Sequence, residues 1–178
     1  MAVVSDTTPL NYLILIRCQD VLPALFGLVH VPPAVLAEME HPKAPVAVRR
    51  WAESPPAWAV IRSPAQLDAT LPVKLHQGET PAISLALELR ARWVLIDDWD
   101  ARQAALARHL PLSGIWNVLE EAACRGLIDV ETAANDLRRT NFRATESQFQ
   151  TLLENVLSRK LVLEREPKRD PPRDPATP

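Results

Sequence analysis

The chain has 178 residues, 47% of them hydrophobic and 24% charged, with a formal net charge of −2, the size and balance of one globular domain with its own core. Aromatic residues make up only 5%, so aliphatic packing must dominate, and no apolar run approaches the roughly 20 residues of a membrane span. The near-neutral charge excludes a global pull toward nucleic acid and leaves only local basic patches for such a role.

In chain order, Ala2 to Ser5 reads as a first strand. Asp6-Thr7-Thr8-Pro9 predicts a helix start, with Thr8 as cap and Pro9 at the first helical position. Val21 to Phe26 reads as a short helix stopped by Gly27, Leu28 to Val31 as a second strand, and Pro32-Pro33 as the opening of a helix that runs to about Glu40. Ala44 to Ala52 predicts a short helix, Trp58 to Ile61 an edge strand, and Pro64 to about Leu75 a weak helix disturbed by Pro72. Gly78-Glu79-Thr80-Pro81 opens a stronger helix, apolar over most of its surface and so expected to be central. Trp93 to Ile96 reads as a strand, Asp100 to Arg108 as a helix with alanines on one face, and Leu110 to Leu112 as a short strand. Helices follow over Ile115 to Arg125, Val130 to Arg139 and Thr145 to about Lys160. The domain is expected over residues 1–160. A proline-rich, mixed-charge tail over 161–178 is expected to be disordered. Alternating strands and helices predict an α/β fold whose parallel sheet is covered on both faces. Cys18 and Cys124 read as buried free thiols. The N-terminus has no basic segment ahead of its apolar stretch, so no signal peptide is expected, and a cytoplasmic location follows.

Carboxylates recur where apolar runs stop. Asp6 follows Ala2-Val3-Val4-Ser5, and Asp97-Asp98 follow Trp93-Val94-Leu95-Ile96. A short apolar run ending in an acid reads as a buried strand that delivers a carboxylate to the sheet edge, where open α/β folds place ligands. Glu38 and Glu79 sit on predicted helices and can join them. Each acid alone has a structural explanation as a helix cap, a first-turn acid or a solvated side chain. Gathered together they would repel one another, by roughly 4 kcal/mol for two unit charges about 4 Å apart at an effective dielectric near 20. Protons or divalent cations would have to neutralise them. Oxygen-only ligands suit Mg²⁺ or Mn²⁺ rather than Zn²⁺. His30, His41, His76 and His109 show no metal-ligand spacing.

Val3-Val4-Ser5-Asp6-Thr7-Thr8-Pro9-Leu10 resembles the opening of PIN-domain nucleases. So does the order that follows: a helix bearing Glu38, a helix opened by Gly78-Glu79 with Ala82-Ile83 and Leu85-Ala86, and then Asp97-Asp98-Trp99-Asp100-Ala101-Arg102. The likeness spans roughly Ala2 to Phe142 and is closest to a prokaryotic PIN-like subfamily of uncharacterised toxin-type ribonucleases. It implies a three-layer α/β/α fold with a central parallel sheet of about four to five strands and the acids at its carboxyl edge. It implies cleavage of single-stranded RNA with Mg²⁺ or Mn²⁺, leaving 5′-phosphate and 3′-hydroxyl ends. It also implies the toxin half of a type II toxin–antitoxin pair, with a cognate antitoxin and a homodimer as partners.

Carried over by position, the catalytic acids are Asp6, Glu38, Glu79 and Asp98. Asp6, Glu79 and Asp98, with Asp97 as the rival, hold metal, and Glu38 orients water or completes a second metal site. Thr8 and Asp100 are supporting residues. Arg102 is among several arginines, Arg143 included, that are candidates to guide the backbone of RNA, and Trp99 and Trp116 are candidates to stack on unpaired bases. The subfamily's Gly-Thr-x-Gly after the last strand is replaced by Gly114-Ile115-Trp116-Asn117. That change keeps open an alternative, a non-catalytic PIN-like module that binds RNA or protein. Apolar positions near Leu22, Leu25 and Phe26 are candidate partner contacts, with core packing as the competing reading. Receiver and dehalogenase-type phosphoryl-transfer folds fit less well: the acid pair comes late, and Asp6-Thr7-Thr8 lacks their Asp-x-Asp.

Overall fold

A computed structural model describes residues 2–165. Five short strands, β1 (Val3–Ser5), β2 (Val29–Val31), β3 (Ala59–Ile61), β4 (Trp93–Leu95) and β5 (Leu112–Ser113), form one sheet in the order β3-β2-β1-β4-β5. Every pairing is parallel, with Val4 opposite His30 and Val94, and Leu95 opposite Ser113. The chain runs from β1 outward through β2 to β3, then returns to the other side of β1 for β4 and β5. That reversal leaves the carboxyl ends of β1 and β4 side by side, at the place where a doubly wound sheet opens a crevice.

Strand side chains alternate between two cores. Val3, Val29, Val31 and Leu95 enter a large cluster with α1 (Thr7–Leu15), α2 (Val21–Phe26), α3 (Pro33–Met39), α4 (Val46–Glu53), α7 (Ile115–Cys124), α8 (Val130–Arg138) and α9 (Glu146–Arg165). Val4, Val94 and Ile96 enter a smaller, alanine-rich cluster with α5 (Glu79–Glu88) and α6 (Trp99–Leu106). This is the α/β/α layering expected from the sequence. The alanine face of α6 is buried through Ala101, Ala104 and Ala105, and β3 is the expected edge strand. Among the described residues no helix is long and apolar enough to cross a membrane.

Some expectations need correction. The first helix begins two residues earlier than Pro9 suggests: Asp6 occupies the cap position, without a side-chain cap bond, and Thr7 is the first helical residue. Residues 64–75 are not helical. Pro64 and Pro72 remove backbone donors, and side chains supply competing partners. The Ala65 N–H donates to Glu88 Oε2 at 2.6 Å, and the Asp68 N–H donates to Ser84 Oγ at 2.9 Å. Arg108 pairs with Asp68 at 2.5 Å. The last strand is Leu112–Ser113, a shift toward the carboxyl side. Cys18 lies in the turn after α1, Cys124 ends α7, and both thiols are free and only half-buried. Leu22 is fully buried, while Leu25 and Phe26 pack partly buried on the same core. The 160/161 division falls inside α9, and the tail from 166 onward lies outside the described residues.

Candidate active site

The carboxyl end of β1 carries Asp6, whose N–H donates to the Leu95 carbonyl of β4 at 3.0 Å. Asp6 is 2% exposed, and its Oδ1 is buried with no hydrogen-bond partner among the described residues. Burial pushes this carboxyl up from an ordinary 3.8 to about 8. The Thr7 backbone N–H opposes that shift, and the charges of Glu79, Glu38 and Asp97 add to it.

Glu79, the first residue of α5, is also buried. Its Oε2 accepts the His76 N–H at 2.8 Å, and its Oε1 lies 3.3 Å from His76 Nδ1. Burial raises its pKa, and Asp98 and Glu38 raise it further. Glu38, near the end of α3, is half-buried. Its Oε2 accepts the Thr7 hydroxyl at 2.5 Å and its Oε1 the Gly78 N–H at 2.7 Å. The hydroxyl that engages an acid is therefore Thr7's, whereas Thr8 lines the neighbouring cleft.

The two acids after β4 have separate structural partners. Asp98 caps α6, its Oδ1 accepting the N–H groups of Asp100 and Ala101 at 2.8 and 3.1 Å. Asp97 accepts the Ile115 N–H at the start of α7, at 3.0 Å to Oδ1. The residue keeps some exposed surface, but its carboxyl end is enclosed, and that enclosure raises it to about 6 against the pull of the Ile115 N–H and Arg102. Arg102 itself donates to the Ile96 carbonyl at 2.7 Å. Asp100 forms an exposed pair with Lys74 at 2.6 Å.

Beside Asp97 and Asp98 opens a cleft of about 550 Å³, lined also by Trp99, Arg102, Trp116 and Arg143. Trp99 is 72% exposed and presents a free ring face for stacking. Trp116 is committed to packing, edge-on to Phe142 and Phe149 at 5.5 and 5.1 Å. The Tyr12 hydroxyl donates to Asn141 Oδ1 at 3.2 Å across the same cleft. A second cleft of about 600 Å³ lies by Val3 and Trp93, at the starts of β1 and β4. It lies away from the acids, and four of the charged residues that line it, Glu120, Glu121, Arg125 and Arg159, pair among themselves at 2.7 to 2.9 Å.

The five acids predicted from sequence are thus brought into one electrostatic neighbourhood: Asp6 feels Glu79, Glu38 and Asp97, and Glu79 feels Asp98. Among the described residues no three Asp, Glu, His or Cys side chains are already arranged to hold a metal ion. Donor chemistry nevertheless fits a hard cation, because the ligands are all carboxylate oxygens and one of them, Asp6 Oδ1, is buried without a partner. Sequence reasoning missed Thr7, Gly78 and His76. Gly78 was visible as one of only four glycines in the chain, set directly before an acid.

A family model described as a PIN domain matches residues 2–158. Comparison with curated proteins and with solved structures returned no match. PIN domains are generally nucleases, so the fold is of nuclease type. A match over nearly all of the described chain agrees with the five-stranded parallel sheet and with acids gathered where β1 and β4 end: the chain belongs to the PIN-domain family.

Proposed function

We propose that this protein is a metal-dependent endoribonuclease that hydrolyses phosphodiester bonds of single-stranded RNA. The observation that carries the reading is Asp6, a buried carboxylate with an unpartnered oxygen, at the end of the central strand and surrounded by further acids. Asp6, Glu79 and Asp98 would hold Mg²⁺ or Mn²⁺, with Asp97 as the rival to Asp98. The Ile115 N–H lies 3.0 and 3.3 Å from the two oxygens of Asp97, whereas the α6 cap engages only Oδ1 of Asp98, and that favours Asp98. The chemistry such a cation supplies when bound is a lowered pKa for the attacking water and neutralisation of charge building on the phosphate. The chain's own residues supply the rest. Burial keeps bulk water from Asp6, the Asp98 cap fixes the start of α6, and Trp99 and Arg143 line the cleft that would receive an unpaired strand. Hydrolysis would break the P–O3′ bond and leave 5′-phosphate and 3′-hydroxyl ends.

The biological role that fits this activity is the toxin of a type II toxin–antitoxin pair, acting in the cytoplasm as a homodimer and held by a cognate antitoxin. A second reading, a non-catalytic module for RNA or protein, draws on the acids not being arranged as a ready metal cage and on the Asp97–Ile115 bond at the altered Gly114–Asn117 segment. The two separate in one assay. Purified protein should cleave single-stranded RNA when Mn²⁺ is added and stop with chelator, and Asp6→Asn should reduce cleavage to background while the circular dichroism spectrum is retained. Cleavage that survives Asp6→Asn removes Asp6 from the mechanism, and no cleavage by the parent protein with either cation favours the binding module.

A further inference from the structure

We propose that Glu38 is a positioning residue rather than a metal ligand: its carboxylate latches the start of α5 to the start of α1 and so sets the separation of Asp6 from Glu79. The proposal rests on reading Asp6 and Glu79 as cation-binding acids. Oε2 of Glu38 accepts the Thr7 hydroxyl at 2.5 Å and Oε1 accepts the Gly78 N–H at 2.7 Å. Thr7 directly follows Asp6, and Gly78 directly precedes Glu79. One side chain therefore bridges the immediate neighbours of two acids that stand 73 residues apart in the sequence, with both of its oxygens engaged. Recruiting either oxygen to a cation would mean sharing or breaking one of these bonds.

Gly78 is shaped for this contact. Its backbone is ordinary right-handed helix (φ −77°, ψ −32°), so no conformational reason demands glycine. Space is tight instead: a Cβ there would stand 3.0 Å from Glu38 Oε2, 3.0 Å from Thr7 Oγ1 and 3.1 Å from Val35 Cγ2, so the latch itself would have to give by a few tenths of an ångström. The latch also answers a need, because α5 is entered from an irregular connection, residues 62–78, with no strand pairing to fix where the helix begins.

The test is Mn²⁺ titration calorimetry on the full chain without RNA, for the parent protein and for Glu38→Gln, Glu38→Ala and Gly78→Ala. Glutamine can keep the latch, its carbonyl accepting from Gly78 and its amide donating to Thr7. Glu38→Gln should bind Mn²⁺ within about threefold of the parent, whereas Glu38→Ala and Gly78→Ala should each weaken it by roughly 10- to 100-fold, the usual cost of losing a group that orients a ligand. Equal losses in Glu38→Gln and Glu38→Ala would make the charge itself the ligand and overturn the proposal. Unchanged affinity in Glu38→Ala with a lower melting temperature would reduce the contact to a structural one and also overturn it. Exchange of the Gly78 amide proton in metal-free protein reads the latch on its own: slow in the parent and Glu38→Gln, fast in Glu38→Ala. Fast exchange in the parent removes the latch. Slow exchange in a parent that takes up no Mn²⁺ leaves the latch standing and removes the role of spacing two cation ligands.

Discussion

Asp6 is the residue on which folding and the proposed cation binding pull in opposite directions. Its carboxyl is raised from 3.8 to about 8 by burial, so between those values the folded chain holds a proton that the unfolded chain has released. Stability then falls as pH rises, the reverse of a salt-bridged aspartate. Asp97, raised to about 6, adds the same sign over a narrower window. In metal-free protein, Asp6→Asn should match the parent in stability near pH 4 and exceed it increasingly toward pH 8, by up to about 5 kcal/mol. Urea unfolding in chelator across that range checks this, and added Mn²⁺ should stabilise the parent at pH 8 while leaving Asp6→Asn unmoved. A variant that is less stable than the parent at pH 8 would show that the carboxylate is compensated by groups other than a cation. An acid that destabilises the empty fold at the end of the central strand fits the proposed cation site, because a bound cation would supply the compensation.

At the scale of elements, the joint between β4 and α7 is made by a carboxylate and a missing side chain. Asp97 reaches the Ile115 N–H, an unsatisfied donor of the first turn of α7, only because Gly114 has no Cβ: one placed there would lie 2.3 Å from Asp97 Oδ1. The Gly114 backbone is extended (φ −141°, ψ −176°), so alanine is excluded by space alone. Gly114→Ala should cost about 1–3 kcal/mol, the value of a buried charge-assisted bond left unmade, read as a lower urea midpoint. Asp97→Asn should lose less, since its amide oxygen can still accept. This joint also marks what could be read in advance. The strands and their terminal acids were legible because buried parallel strands are short apolar runs, and a carboxylate after one is conspicuous. The proline-bearing stretch from 64 to 75 was not, because Glu88 and Ser84 take its backbone N–H groups and Arg108 takes the Asp68 carboxylate, all from sites far along the chain. Thr7 and Thr8 could not be told apart by pattern either. Which of them meets an acid depends on the phase of α1, and the cap falls on Asp6. Likewise, the division of labour between Asp97 and Asp98 appears only when α7 is packed against the sheet.

Across the whole molecule, the sheet is shared by two unequal cores, so neither helical layer is independent of the other. The larger side ends in α9, whose Phe149, Leu152 and Val156 are buried against α7 and α8. Phe149 meets Trp116 edge-on at 5.1 Å, and the Arg138 guanidinium sits 4.3 Å from its ring centroid. Trp116 in turn lines the acidic cleft, so α9 supports the wall of the site from behind. Phe149→Ala removes the ring that joins these three helices and should destabilise the domain by about 3–5 kcal/mol. Val3 and Val4 send neighbouring side chains of one strand into different clusters, so loosening one side exposes the floor of the other and unfolding should remain a single transition. Tryptophan fluorescence reports mainly on the larger layer, where Trp51, Trp58, Trp93 and Trp116 pack, whereas far-ultraviolet circular dichroism reports on all helices. In Phe149→Ala both midpoints should move together to lower urea. A fluorescence transition that precedes the loss of helix would instead mean that α7, α8 and α9 form a unit that opens alone, and the cleft wall would then be a separately mobile element of the fold.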